Sequence, residues 1–144
     1  MNKDDKNIDT PREAAIIGYG ESGHEIANSM NNLGCTITIM DINPRAFAKL
    51  PESNVKNGSI IPLSGDGMSI NDLSTLPKDL SIIIVITGND SVNLFIGQLT
   101  KQLFRTAKII CKINNKKLRE IGDNHEILAY SPITLLNEKI LSII

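Results

Sequence analysis

Six short apolar segments, separated by polar or glycine-containing turns, constrain the fold of this 144-residue chain more than any other feature. Their apolar residues are nearly continuous rather than alternating with polar ones, as expected for strands that are covered on both faces. The sequence therefore predicts six buried strands. They are Ala14–Gly18, Thr36–Asp41, Ser59–Leu63, Ser81–Thr87, Lys108–Ile113 and Glu126–Tyr130.

Helix candidates lie between the predicted strands. They are Ser22–Leu33, Pro44–Leu50, a short segment near Ser69–Leu73, Ser91–Leu103 and Asn115–Gly122. Alternation of strand and helix is typical of right-handed crossover units, which build a parallel, doubly wound sheet with helices on both faces. Because no linker or long repeat divides the chain, we predict a single α/β domain over residues 14–144.

The two ends of the chain are predicted to differ from the region between them. Residues 1–13, MNKDDKNIDTPRE, are polar and lack the apolar stretch of a signal peptide, so we expect a short disordered lead-in. At the other end, Ser131 and Pro132 open a helix that is apolar around much of its circumference. The segment 132–144 either packs on its own sheet or crosses to a second subunit as a dimerisation helix.

Composition argues against several classes of protein. A formal net charge of -1 and an aromatic content of 3% give neither the basic field nor the stacking surface that nucleic-acid binding uses. The apolar runs are shorter than the roughly 20 residues that a membrane-spanning helix requires. Cys35 and Cys111 are far apart and lack metal-ligand spacing, so we predict buried, reduced thiols in a soluble cytoplasmic protein without a metal site.

The sequence GYGESG follows the first predicted strand and opens the first predicted helix. It places Gly18, Gly20 and Gly23 in G-x-G-x-x-G order. In a Rossmann-type domain the first glycine permits a tight turn, the second lets a pyrophosphate approach the backbone, and the third allows close packing of helix and strand. The free N–H groups of the helix then face the phosphates. The motif predicts a nucleotide-binding loop on a Rossmann-type sheet.

Three later residues at the ends of predicted strands support a nucleotide site. Asp41, about 20 residues beyond the loop, can accept hydrogen bonds from ribose hydroxyls, and its charge disfavours NADP. Asp66 can reach the adenine edge, and Thr87 lies where the strand order is expected to switch. Each of the three could instead be an ordinary turn residue, and Asp90 could be only an N-cap.

The sequence resembles the TrkA-N or RCK family, the cytoplasmic subunits and domains that regulate potassium channels and transporters. The resemblance runs from Ala14 to the end of the chain. Its specific features are GD after the third strand, T-x-x-D-x-x-N after the fourth, NN after the fifth, and SP at the start of the last helix. The matching segments are IIGYGESGHEIANSM, CTITIMDINPRAFAKL, SGDGMSINDL, IIIVITGNDSVNLFIGQLTKQL, IICKINNKKL and AYSPITLLNEKI.

The resemblance implies a non-catalytic domain that binds NAD(H) or ATP, ADP or AMP and regulates potassium transport through the pairing of two lobes. It implies at least a homodimer, with a membrane channel or transporter as a further partner that holds the protein at the inner face of the membrane. Binding positions of the family carry over to Gly18, Gly20, Gly23, Asp41, Asp66, Thr87 and Lys112. The neighbouring residues Tyr19, Glu21, Ser22, Ile42 and Gly67 complete the predicted site.

This sequence departs from the family at three points. Glu21 stands where the family frequently has arginine, and an acid beside a pyrophosphate is repulsive. Lys112 stands where arginine is common, and lysine reaches a phosphate as a point charge rather than a planar fork. Gly67 replaces a common alanine, a change that is expected to be minor. The second, smaller lobe of many family members has no counterpart here, so we expect sensing through the nucleotide lobe alone.

Other functions fit the sequence less well. A small NAD-dependent oxidoreductase needs a proton donor and a substrate pocket, and neither His24 nor His125 lies in such a context. A DNA-binding redox sensor needs a reading element, and the basic segment KINNKKLRE lacks a helix-turn-helix. A nucleotide-free scaffold domain stays open because of the acid at Glu21.

Overall fold

The computed structural model describes residues 13–144, so the predicted lead-in lies outside the described residues except for Glu13, which begins the first strand. The elements follow in the order β1 (Glu13–Ile17), α1 (Glu21–Asn32), β2 (Thr36–Asp41), a 3₁₀ helix (Pro44–Lys49), α2 (Glu52–Lys56), β3 (Ile60–Ser64), α3 (Ile70–Leu73), β4 (Ile82–Val85), α4 (Asp90–Leu103), β5 (Lys108–Lys112), α5 (Lys116–Asn124), β6 (Leu128–Tyr130) and α6 (Pro132–Leu141).

All six strands form one parallel sheet in the order β3-β2-β1-β4-β5-β6. Strand β1 lies in the middle of the sheet; from it the chain builds outward through β2 and β3 and then returns to place β4 on the other side of β1. In register, Ile17 pairs with Met40 on β2 and with Val85 on β4. The strand order therefore switches direction between β1 and β4, as in a Rossmann-type, doubly wound α/β fold. This confirms the predicted fold class.

Both faces of the sheet are buried. Successive residues of a strand point to opposite faces, so Ile17 joins one apolar cluster with Val85 and Ile96, while Ile16 joins the other with Ile39. This double coverage explains why the strands are continuously apolar in the sequence. Both thiols are free and buried, and burial raises the pKa of Cys111 to about 12.

The predicted strands and helices are present, with ends shifted by one or two residues for most of them. Two segments differ from the sequence analysis. Pro44–Lys49 is a 3₁₀ helix, and α2, over Glu52–Lys56, was not predicted. Within residues 13–144, no helix is both long enough and apolar enough to cross a bilayer.

Helix α6 begins with the predicted cap, because Ser131 and Thr134 form a reciprocal capping box and Pro132 occupies the first turn. None of its side chains is buried. Ile133 is 66% exposed and Leu136 is 54% exposed. The single chain thus leaves the apolar side chains of α6 largely uncovered, and the dimerisation helix stays a prediction.

A stability prediction arises at the turn between α5 and β6, where Glu126 has a φ of 60°. A residue with a side chain is strained in this left-handed region, and the Glu126 carboxylate, whose side chain is 85% exposed, gains little from its 3.9 Å pair with Lys101. We expect Glu126→Gly to raise the free energy of unfolding by about 0.5 kcal/mol, the net of relieved strain and a more flexible unfolded chain. Urea denaturation measures this change. Glu126→Ala keeps the strain, so an equal gain in that variant would contradict the explanation.

Candidate functional site

A cavity of about 720 Å³ lies at the carboxyl ends of the strands, beside the point where the strand order switches. Its size is that of a cofactor pocket. The cavity brings together all twelve residues that the sequence and the resemblance assigned to a binding site. These are Gly18, Tyr19, Gly20, Glu21, Ser22, Gly23, Asp41, Ile42, Asp66, Gly67, Thr87 and Lys112.

The glycine loop has the geometry that its motif predicts. Gly18 has a φ of 96°, and a Cβ added there would lie 2.9 Å from the backbone nitrogen of Thr87. A Cβ at Gly23 would lie 2.8 Å from the carbonyl oxygen of Gly18, so the start of α1 packs directly on the loop. A Cβ at Gly20 would meet no atom of the protein within 4 Å. Folding thus requires glycine at positions 18 and 23, whereas Gly20 leaves the backbone open to the cavity.

Helix α1 presents uncapped backbone N–H groups to the cavity. Gly20 is its N-cap and offers no side-chain hydrogen bond, and the first helical hydrogen bond runs from the His24 N–H to the Gly20 carbonyl. The N–H groups of the first turn therefore have no partner within the helix. Together with the positive end of the helix dipole, they form a place for an anionic group.

Asp41 ties the glycine loop to the end of β2. Its Oδ2 accepts a 2.7 Å hydrogen bond from the Tyr19 backbone N–H, and its Oδ1 accepts a 2.8 Å bond from the Asn43 N–H. Asp41 is therefore a turn-forming residue as well as part of the cavity wall. Each carboxylate oxygen has further lone pairs, so the side chain can still accept a hydroxyl group of a ligand.

The loop after β3 is held by two acidic residues, Asp66 and Asp72. Asp66 Oδ1 accepts a 2.9 Å hydrogen bond from the Met68 N–H, and the Asp66 N–H donates to Asp72 Oδ2 at 2.8 Å. Between them, a Cβ at Gly67 would lie 2.8 Å from Ile17 Cγ2 and 2.9 Å from Ile96 Cδ1. Glycine at this position therefore matters to the packing of this chain, more than the sequence analysis expected.

The ends of β4 and β5 are joined by Asn93, which is only 1% exposed. Its Oδ1 accepts a 3.0 Å hydrogen bond from the Thr87 N–H, and its Nδ2 donates to the carbonyl oxygens of Thr87 at 3.1 Å and Lys112 at 2.8 Å. Asn93 is the last residue of the T-x-x-D-x-x-N motif, but the sequence alone gives no sign of this role. It fixes Thr87 and Lys112 next to each other at the wall of the cavity.

Asp90 is not the N-cap of α4. Asn89 holds that position and accepts a hydrogen bond from the Val92 N–H, whereas Asp90 Oδ2 accepts bonds from the N–H groups of Asn114 at 3.0 Å and Asn115 at 2.8 Å. The acid thus connects the start of α4 to the loop before α5. The T-x-x-D-x-x-N motif after β4 and the NN motif after β5 are therefore in contact through Asp90.

Tyr19 and His24 form a hydrogen-bonded pair beside the glycine loop. The Tyr19 hydroxyl bonds to His24 Nδ1, and His24 Nε2 lies 3.1 Å from the Asn28 amide nitrogen. Burial raises the pKa of the Tyr19 phenol. Both imidazole nitrogens are therefore engaged in supporting α1, and His24 does not line the cavity. Across the described residues, no cluster of three or more His, Cys, Asp or Glu side chains could hold a metal ion.

Comparison with known proteins places the chain in a family. The model of the TrkA-N domain matches residues 14–128. The chain is 22% identical over 108 residues to the Trk system potassium uptake protein TrkA of Mycobacterium tuberculosis, covering 73% of this chain and 46% of that protein. It is 28% identical over 103 residues to TrkA homolog 1 of Methanosarcina mazei, covering 72% of this chain and 22% of that protein. The chain thus spans less than half the length of these relatives.

Solved structures share the fold at low sequence identity. The TrkA-N domain of the inner membrane protein YbaL from Escherichia coli has a TM-score of 0.74 at 10% identity, covering 93% of this chain and 97% of that chain. The AMP-bound Kef CTD of Shewanella denitrificans has a TM-score of 0.71 at 16% identity, covering 91% and 79%. The GsuK channel bound to NAD has a TM-score of 0.69 at 15% identity, covering 88% and 22%. With the family model covering most of its length, the chain belongs to the TrkA-N domain family.

Proposed function

We propose that this chain is a regulatory, non-catalytic domain that binds an adenine nucleotide or NAD(H) and controls potassium transport through a membrane channel or transporter. The observation that carries the proposal is the cavity at the strand-order switch point, which joins an open glycine loop, the free N–H groups of α1 and the carboxylate of Asp41. Ligands of doubly wound sheets bind at such a switch point.

The parts of the cavity fit the parts of an adenine nucleotide. Gly20 and the first turn of α1 would receive a phosphate, because the backbone there is open and its N–H groups are unpaired. Asp41 would accept the ribose hydroxyls, and its negative charge would repel the 2′-phosphate of NADP. Asp66 and Ile42 line the side on which the adenine would lie, and Lys112 supplies a positive charge.

Support for a role in potassium transport comes from the family. The curated relatives are named potassium uptake proteins, and two structural neighbours are described as a channel bound to NAD and as a domain with bound AMP. For this chain, we infer a place on the cytoplasmic side of the membrane, next to a channel or transporter subunit. Co-purification of that subunit from membranes tests the inference, and repeated recovery of the chain without a membrane partner would count against it.

The apolar side chains of α6 favour a homodimer. Ile133, Leu135, Leu136, Ile140 and Leu141 are all exposed on a helix that buries no side chain on its own sheet. A self-complementary pairing of two copies would bury this surface. Nucleotide binding in the cavity can then shift the arrangement of the two lobes, to the extent that the ligand binds one arrangement more tightly.

A charge placed on α6 should separate the two copies. We expect Leu136→Glu to convert a dimer to a monomer in sedimentation velocity, because the carboxylate would have to be buried in the apolar interface. Leu33→Glu is the matched control, since Leu33 is 72% exposed and lies at the end of α1. A monomeric parent chain at high concentration, or a dimer that Leu136→Glu leaves intact, would contradict dimerisation through α6.

A further inference from the structure

Acidic groups dominate the charged lining of the cavity. Three carboxylates, those of Glu21, Asp41 and Asp66, line it together with one cation, Lys112. Such a wall opposes the approach of a highly charged anion, although the backbone N–H groups of α1 attract one. The balance between these two effects depends on how many negative charges a ligand carries.

The three carboxylates differ in the hydrogen bonds that each of them accepts from the protein. Asp41 accepts hydrogen bonds from the N–H groups of Tyr19 and Asn43, and Asp66 accepts one from the Met68 N–H. Glu21 makes no side-chain hydrogen bond and no salt bridge with any of residues 13–144. It is exposed in the first turn of α1, directly after the open backbone of Gly20. Its charge is therefore the one that acts most directly on a phosphate in the loop.

We propose that Glu21 is a specificity-determining residue that makes this site select adenine nucleotides by phosphate charge, with the monophosphate preferred over the diphosphate and the triphosphate. The inference rests on the proposed nucleotide site and adds its ligand class. The first phosphate gains the N–H groups of α1, whereas each further phosphate adds charge beside the Glu21 carboxylate and has Lys112 as the one cation in the described lining, against three carboxylates. The penalty therefore increases from AMP to ADP to ATP.

The expected effect follows from Coulomb repulsion near a solvated surface. One added charge about 8 Å from a carboxylate, at an effective dielectric constant of about 40 to 80, changes a dissociation constant by roughly three-fold. We thus expect the parent chain to bind AMP roughly three-fold more tightly than ADP and roughly ten-fold more tightly than ATP. Salt should reduce these ratios, because the Debye length falls to about 3 Å at 1 M ionic strength.

The test is isothermal titration of the full chain with AMP, ADP and ATP in EDTA, so that no divalent cation bridges the phosphates to the carboxylate. Glu21→Gln removes the charge with little change in shape. Glu25→Gln is the matched control, since Glu25 lies one turn further along α1, is exposed, and does not line the cavity. We expect Glu21→Gln to bring the three dissociation constants to within about two-fold of one another, whereas Glu25→Gln keeps the parent ratios.

Two results would overturn the proposal. In one, the parent chain binds ATP as tightly as AMP in low salt. In the other, Glu21→Gln changes all three affinities by the same factor, as a merely structural effect on the loop would. Binding of at least one nucleotide in either case would leave the proposed function standing. Failure of AMP, ADP and ATP, and also of NAD⁺ and NADH titrated in the same way, to bind either the parent chain or Glu21→Gln would instead overturn the nucleotide site itself.

Discussion

Asn93→Ala is expected to lower the free energy of unfolding by about 3 kcal/mol, because it leaves several partly buried backbone groups without their partner, each at a cost of about 1–3 kcal/mol. The groups are the N–H of Thr87 and the carbonyl oxygens of Thr87 and Lys112, all of which the amide of Asn93 now satisfies. The same substitution at an exposed asparagine on a helix surface would lower the free energy of unfolding less, because water replaces the lost hydrogen bonds there.

Urea denaturation monitored by circular dichroism measures this change. Asn32→Ala is the matched control, because Asn32 is exposed at the end of α1 and makes no side-chain hydrogen bond within residues 13–144; we expect its effect to lie within about 0.5 kcal/mol. A loss below about 1 kcal/mol for Asn93→Ala would show that Asn93 does not hold the ends of β4 and β5 together.

The glycine loop provides the second large effect, as a contrast between two alanine substitutions. Gly18→Ala is expected to lower the free energy of unfolding by about 3 kcal/mol, the sum of left-handed strain and a backbone clash. The φ of 96° and the 2.9 Å approach of the new Cβ to the Thr87 nitrogen are its causes. Gly20→Ala meets no protein atom within 4 Å, so we expect a loss of less than about 1 kcal/mol, from the weaker N-cap alone.

The same pair separates folding from binding. Because the Cβ of Gly20→Ala would fill the space where a phosphate approaches the backbone, we expect nucleotide affinity to fall by roughly ten-fold or more although the variant stays folded. Thermal unfolding gives the stability, and isothermal titration gives the affinity. A Gly20→Ala variant that binds nucleotide as tightly as the parent chain would contradict the assignment of this loop to phosphate.

Much of the fold follows from the sequence because each strand is buried on both faces. Ile16 and Ile17 enter opposite clusters, and this produces the uninterrupted apolar run that identified β1. The carboxyl ends of parallel strands meet at one edge of a sheet, so the residues predicted at four strand ends, in the glycine loop and at Asp41, Asp66 and Thr87, lie around one cavity. The short helix α2, over Glu52–Lys56, carries no such signal, because five mostly polar residues show no apolar periodicity.

The parts that the sequence analysis missed are long-range hydrogen bonds. An acid at the start of α4 suits an N-cap, and nothing local shows that Asp90 instead binds the N–H groups of Asn114 and Asn115, more than 20 residues away. The hydrogen bonds by which Asn93 joins Thr87 to Lys112 cannot be predicted from local sequence for the same reason. Likewise, the tight contacts at Gly67 depend on Ile17 and Ile96, which come from other elements.

The proposed role of the cavity at the strand-order switch point is to bind an adenine nucleotide or NAD(H). Its most direct test is thermal unfolding of the purified chain with NAD⁺, NADH, NADP⁺, AMP, ADP and ATP. A ligand at one hundred times its dissociation constant should add about 2.7 kcal/mol, or roughly 5–10 °C in Tm. We predict such a shift with AMP or NAD(H) and a much smaller one with NADP⁺. If none of the six ligands changes Tm, the glycine loop holds no nucleotide and the domain is a scaffold.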